Sequence, residues 1–309
     1  MSRASTRITR SLLQRWPLPE ADGKRGKEDR GRALVVGGSV EIPGAVVLAA
    51  TGVLRAGAGK LQIATCREVA PSIALAIPES RVIGLRSARD GSLAPRSCHN
   101  IFPEVDRCDA LLVGPGMVDV KALSDLLRRR IQKGGTLVAD AGALRFWRDR
   151  KPLPSQSRGK VILTPHAGEM ADMWGIDHGE VLAHPLEVSR IVAMRLGAVV
   201  ALKGQNTFVA APDGTIYHNT DGNIGLGTSG SGDVLSGIIA GLAARGTDPV
   251  QAAAWGVYLH AKAGDALARK LGMLGFLARE LLAEIPPLLA RFPTKRTSRR
   301  DAGKPSSRV

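Results

Sequence analysis

The sequence predicts an α/β fold: a doubly wound, mostly parallel sheet flanked by helices, built as a single domain with a small late β-hairpin. Three observations carry this. Short β-rich runs alternate with amphipathic stretches along most of the chain, the pattern of strand–helix–strand units. Several runs are apolar on both faces, as strands buried between two helix layers are. Glycine-rich turns follow the runs closely, where strands give way to helices.

The elements follow in order. RALVV (32–36) reads as a strand ending in Gly37-Gly38, and GAVVLAATGVLRAG (44–57) as a helix stopped by glycines. KLQIAT, RVIGL, DALLVG, TLVADA, KVILTPH and AVVALKG read as further strands. VKALSDLLRRRIQKG and PLEVSRIVAMRLG are helical separators. TFVAAPDGTIYH places two β-runs around Pro212-Asp213-Gly214, a hairpin signature. Beyond Gly232 the chain turns helical, ending near residue 289. There is no internal repeat and no linker within 33–290, so one domain is expected there.

The net charge of +15 raises a nucleic-acid reading, but its distribution weakens it. Residues 1–32 carry nine Lys/Arg against four Asp/Glu, and residues 291–309 carry seven against one. The body between them is nearly balanced. The expectation is a disordered basic leader (1–30), a folded domain (31–290) and a disordered basic tail (291–309). Cys66, Cys98 and Cys108 are odd in number and lack metal-type spacing, which points to a reducing cytoplasm. The leader lacks the apolar core of a secretory signal, although its Arg/Ser richness leaves a transit peptide open.

Ligands of open parallel sheets bind beyond the carboxyl ends of the strands. Five turns qualify: VGGSVEIPGA (36–45), VGPGM (113–117), ADAGAL (139–144), TPHAGEM (164–170) and GTSGSGD (227–233). In the last, glycines before a helix N-terminus suit an anion, most often phosphate. Asp233 follows directly, and two readings stand: a helix cap, or a base that deprotonates a hydroxyl attacking phosphorus. Lys203 ends a strand, either reaching a nucleotide phosphate or simply solvated. His166 and Glu169 share a helix face, as substrate and water-mediated Mg²⁺ contacts or as a cap. Neither G-x-x-x-x-G-K-[ST] nor G-x-G-x-x-G is present.

The GSGD stretch before a late helix resembles the ribokinase-like superfamily. The ordered set GGSVEIPGAVVLAATGVLRAGAG, LLVGPGM, VADAGAL, ILTPHAGEM, ALKGQNT and GLGTSGSGDVLSGIIAGLAARG is similar to the ADP-dependent NAD(P)H-hydrate dehydratase family, over about residues 31–289. The resemblance implies repair of hydrated NADH and NADPH. ADP (or ATP) phosphorylates the C6 hydroxyl of the S-hydrate, and phosphate is then eliminated. It implies that Ala45, Gly116, His166 and Asp233 contact the hydrate. Lys203, Gly204, Gln205, Asn206, Thr207 and Gly232 would meet the nucleotide. Gly230, Ser231, Gly232 and Asp233 would form the catalytic anion hole, with Mg²⁺ near Glu169. It also implies a homo-oligomer, a tetramer in many members, and a separate epimerase. Ile42-Pro43 stands where many relatives carry an aromatic before the Gly-Ala pair. A ribokinase-like kinase of a thiazole or pyrimidine vitamin precursor is the competing reading.

Overall fold

The computed structural model describes residues 4–19, 30–117 and 123–292. Seven strands run parallel: β2 (Arg32–Val36), β3 (Lys60–Cys66), β4 (Ser80–Leu85), β5 (Ala110–Val113), β6 (Thr136–Ala139), β7 (Val161–Leu163) and β8 (Val199–Leu202). The hairpin of β9 (Thr207–Ala210) and β10 (Ile216–Asn219) extends this sheet antiparallel to β8. A two-residue strand, β1 (Thr6–Arg7), closes the edge parallel to β10. The spatial order is β4-β3-β2-β5-β6-β7-β8-β9-β10-β1. The expected mixed, mostly parallel sheet is therefore present, with its hairpin turning at Gly214, φ +86°.

The period of two along each strand decides which side chain meets which helix layer. Ala33, Val35, Leu61, Ile63, Leu112 and Val138 enter one core. It is covered by α1 (Arg10–Arg15), α2 (Pro43–Arg55), α3 (Ala70–Ala76), α9 (Ser231–Ala244), α10 (Pro249–Leu271) and α11 (Ala278–Leu289). Leu34, Val36, Leu111, Val113 and Leu137 enter the other. That core lies under α4 (Phe102–Arg107), α5 (Ser124–Gln132), α6 (Ala167–Trp174), α7 (His178–Ala183) and α8 (Pro185–Leu196). Residues 118–122, whose last three begin the predicted helical stretch that continues into α5, lie outside the described residues. Among the described residues no helix is long and apolar enough to cross a membrane.

The expectation of a disordered leader is corrected for residues 4–19. Ile8, Leu13 and Leu18 are buried, and the Ile8 N–H donates to the His218 carbonyl at 2.8 Å. The Trp16 carbonyl accepts from Trp255 Nε1 at 2.9 Å and Gln251 Nε2 at 2.8 Å. The basic residues interleaved with these apolar positions stay at the surface, so charge alone conceals the packing. The expected disorder of residues 20–29 and 293–309 concerns segments outside the described residues.

Two glycines of α9 set how close it lies to α2. A Cβ on Gly237 would stand 2.1 Å from the Ala49 carbonyl oxygen, and one on Gly241 2.5 Å from that of Val53. In a free helix Gly→Ala gains about 1 kcal/mol. Here the clash is with backbone, so overpacking reverses the sign. Gly237→Ala is expected to lower unfolding stability in urea by ~2 kcal/mol or more. Gly44→Ala is the control, because nothing lies within 4 Å of its added Cβ. Equal stabilities for the two variants would refute the contact.

Candidate active site

The chain leaves β2 toward β3 and β4, then returns to the other side of β2 with β5. The turns after β2 and β5 therefore flank the point where strand order reverses, the place where such sheets bind ligands. The Gly38 N–H donates to the Pro115 carbonyl at 2.7 Å, joining the two turns. Gly116 has φ +68°, and a Cβ there would lie 2.9 Å from that of Ala45 and 2.7 Å from the Ile42 carbonyl oxygen. Two hydrate-site candidates, Ala45 and Gly116, thus meet at this point. Ile42 begins α2 and is exposed, so it provides no aromatic surface.

Next along the sheet is a charge cluster. Asp140, at the end of β6, is buried, and its Oδ1 accepts from Thr164 Oγ1 at 2.8 Å and from Lys203 Nζ at 3.0 Å. Lys203 Nζ also lies 3.5 Å from Glu169 Oε2. Burial disfavours the Lys203 ammonium, but Asp140, Glu169 and Asp233 outweigh it and hold its pKa above the ordinary lysine value. The backbone is held as firmly. A Cβ on Gly114 would stand 1.8 Å from the Asp140 carbonyl oxygen, and Ala141 adopts φ +47°. A non-glycine residue persists in that region only where its surroundings enforce it.

His166 caps α6. Its Nδ1 accepts from the N–H groups of Gly168 (3.0 Å) and Glu169 (3.3 Å), while Glu169 Oε2 accepts from the His166 N–H at 2.8 Å. This is the reciprocal capping box. The cap fixes both side chains next to Lys203, so structural and ligand-binding roles are compatible at this pair.

Gly230, φ +86°, opens α9 without a side-chain cap. A Cβ there would meet Leu48 at 2.4 Å. The Ser231 N–H turns back to the Thr228 carbonyl at 3.2 Å. Of the four N–H groups expected in the anion hole, that of Ser231 is thus turned onto Thr228. The N–H groups of Gly232 and Asp233 lie in the first turn, where helix geometry supplies no partner. A Cβ on Gly232 would be 3.3 Å from Lys203 Nζ, which places this turn against the lysine. Burial first, then the Asp140 charge, push Asp233 up to about 7 against the opposing pull of Lys203. Asp233 does not cap the helix through its side chain, so its environment suits proton transfer better than the capping reading.

One cavity of about 760 Å³ gathers Lys203, Gly204, Gln205, Asn206, Thr207 and Gly232, the whole set of nucleotide candidates. A second, of about 390 Å³, contains Glu169, Gly168 and Met117, and His166 borders both. Ala45, Gly116, Gly230 and Asp233 line neither, Asp233 following the lining residue Gly232 in the first turn of α9. Two buried polar residues beside the site escape sequence reasoning. Asp140 is visible only as a lone carboxylate at a strand end, and His260 is hidden within an apolar helix. Among the described residues no three His, Cys, Asp or Glu side chains form a metal-ligand cluster.

Known proteins are similar to this chain over most of its length. The family model described as NAD(P)H-hydrate dehydratase matches residues 33–287. The ADP-dependent (S)-NAD(P)H-hydrate dehydratase of Xanthomonas campestris pv. campestris is 47% identical over 93% of this chain and 96% of its own length. The crystal structure of the ADP/ATP-dependent NAD(P)H-hydrate dehydratase from Bacillus subtilis, co-crystallized with ATP/Mg²⁺, is 31% identical with a TM-score of 0.80, covering 94% of this chain and 99% of that one. The hydroxyethylthiazole kinase from Pyrococcus horikoshii is 15% identical over 88% of this chain and 95% of its own, TM-score 0.58, and shares the fold alone. With the family model matching residues 33–287, which include every turn that builds the site, this chain belongs to the NAD(P)H-hydrate dehydratase family.

Proposed function

We propose that this enzyme dehydrates the S-epimers of NADHX and NADPHX, using ADP or ATP, to restore NADH and NADPH. The observation that carries the reading is the meeting of three features. The nucleotide-lining segment 203–207 and the first turn of α9 share one cavity, and Asp233, with its pKa near 7, stands in that turn.

The chemistry follows from these groups. Hydroxide is a poor leaving group, so the C6 hydroxyl is first phosphorylated. Asp233 takes the hydroxyl proton as the oxygen attacks the terminal phosphorus. The P–O bond to the departing nucleotide breaks, leaving AMP from ADP. The N–H groups of Gly232 and Asp233, with Lys203, hold the transferring phosphoryl. The C6–O bond then breaks, phosphate departs, and loss of a ring proton restores the double bond. Three carboxylates, Asp140, Glu169 and Asp233, stand around the single ammonium of Lys203. That excess of negative charge fits a Mg²⁺ ion arriving with the nucleotide, which Glu169 would hold through water. When bound, the ion neutralises phosphate charge.

Ala45, Gly116 and His166 would position the hydrate at the reversal of strand order. Cys66, Cys98 and Cys108 are free and buried, which supports a cytoplasmic setting. A separate epimerase would supply the S-hydrate from its R-epimer, and the homo-tetramer suggested by the resemblance is checked by light scattering.

The direct test mixes the protein with R/S-hydrated NADH, Mg²⁺ and ADP or ATP, and follows the return of reduced-nicotinamide absorbance. Nucleotide-dependent recovery of part of the mixture is the expected result. No recovery with either nucleotide, from folded protein, would overturn the dehydratase reading.

A further inference from the structure

His260 is a buried titratable group that the mechanism above leaves unused. It sits on α10, across the cavity wall from the start of α9, and its Nε2 lies 2.9 Å from Ser231 Oγ. Ser231 and His260 are both buried, and both border the nucleotide cavity. We infer that His260 is a positioning residue: its ring N–H donates to Ser231 and thereby leaves the Ser231 hydroxyl proton free to donate to a phosphoryl oxygen of the nucleotide. The inference rests on the nucleotide-dependent reading of this cavity.

The direction of the hydrogen bond is what matters. A hydroxyl and a neutral imidazole nitrogen can each donate or accept. If His260 accepted, the Ser231 proton would be spent inside the wall. In the other orientation, with the proton on Nε2, the ring donates across the 2.9 Å contact. Ser231 then accepts from His260 and turns its own O–H outward.

Burial keeps the ring neutral, pushing its pKa down to about 4, and the neighbouring Lys203 ammonium acts in the same direction. Lys203 remains the cation facing the phosphates, while the buried ring supplies orientation without a second charge. The Ser231 N–H is closed onto Thr228, so the residue's hydroxyl is its remaining donor.

The test compares wild type, Ser231→Ala, His260→Leu, His260→Gln and the Ser231→Ala/His260→Leu double variant. Steady-state turnover is measured against ADP and against the hydrate, and ADP affinity is measured separately by calorimetry. Ser231→Ala and His260→Leu should each lower kcat/KM for ADP about tenfold or more, the size of a lost hydrogen bond to a charged group. KM for the hydrate should stay within twofold, and the double variant should be no worse than either single one. His260→Gln, whose amide N–H can replace the ring donor, should recover most of the loss. Additive losses would overturn the inference, as would full activity of folded His260→Leu or a Gln variant as impaired as Leu. If wild type fails to turn over the hydrate, the dehydratase reading falls. The same comparison in ADP affinity then decides the role of His260 independently.

Discussion

Asp233→Asn is expected to fold normally, to retain ADP binding and to lose roughly a thousandfold in kcat, within the range by which a general base accelerates a reaction. The amide matches the carboxylate in shape but takes no proton. Two pH signatures separate loss of a base from general damage. Wild-type kcat/KM should rise as pH passes through about 7, where the Asp233 carboxyl ionises, and that limb should vanish in the variant. Stability should move the other way. The folded-state pKa lies above the ordinary carboxyl value of 3.8 that holds in the unfolded chain, because burial disfavours the anion. The neutral group's contribution is fully present below pH 3.8 and is lost as pH rises through 7. At pH 8, Asn at this position removes a buried negative charge, so the variant should melt higher than wild type, and at pH 4 the difference should shrink. Turnover within tenfold of wild type would eliminate Asp233 as the base.

Lys203→Met carries the largest expected stability effect. Asp140 is buried, and its Oδ1 is shared between Lys203 and Thr164. Taking away the ammonium leaves a buried carboxylate without its ion partner, which costs about 3–5 kcal/mol. ADP affinity should also fall at least tenfold, since a charge-assisted contact to phosphate is lost. Adding Asp140→Asn should restore much of the stability but not the affinity. Chemical denaturation of wild type, the single variant and the double variant, followed by calorimetric ADP titration of those that fold, resolves the two effects. A single variant within 1 kcal/mol of wild type would show that Asp140 does not depend on Lys203.

Much of this protein is written locally. Runs such as ALLV and VVAL, apolar on both faces, lie as buried parallel strands. The Pro212-Asp213-Gly214 signature makes the hairpin turn, and the nucleotide candidates 203–207 come together because they are consecutive in sequence. These features depend on short-range rules: period, turn chemistry and glycine's access to positive φ.

What the tertiary structure alone decided involves residues far apart in the chain. Asp140 becomes a partner of Lys203 only because β6, β7 and β8 lie side by side and end at the same level. His260 meets Ser231 only because α10 packs on α9. Residues 4–19 gain order from a sheet edge and from Trp255, more than 200 positions away. Gly237 and Gly241, on the helix that follows the glycine-rich turn, serve instead the close approach of α9 to α2. Sequence by itself determined the strands, the turns and the chemical types at the site. The charge balance around Lys203, the proton affinity of Asp233 and the fate of the leader were decided by the fold. Burial and Coulomb interactions act through space, and no local pattern encodes which distant groups will share it.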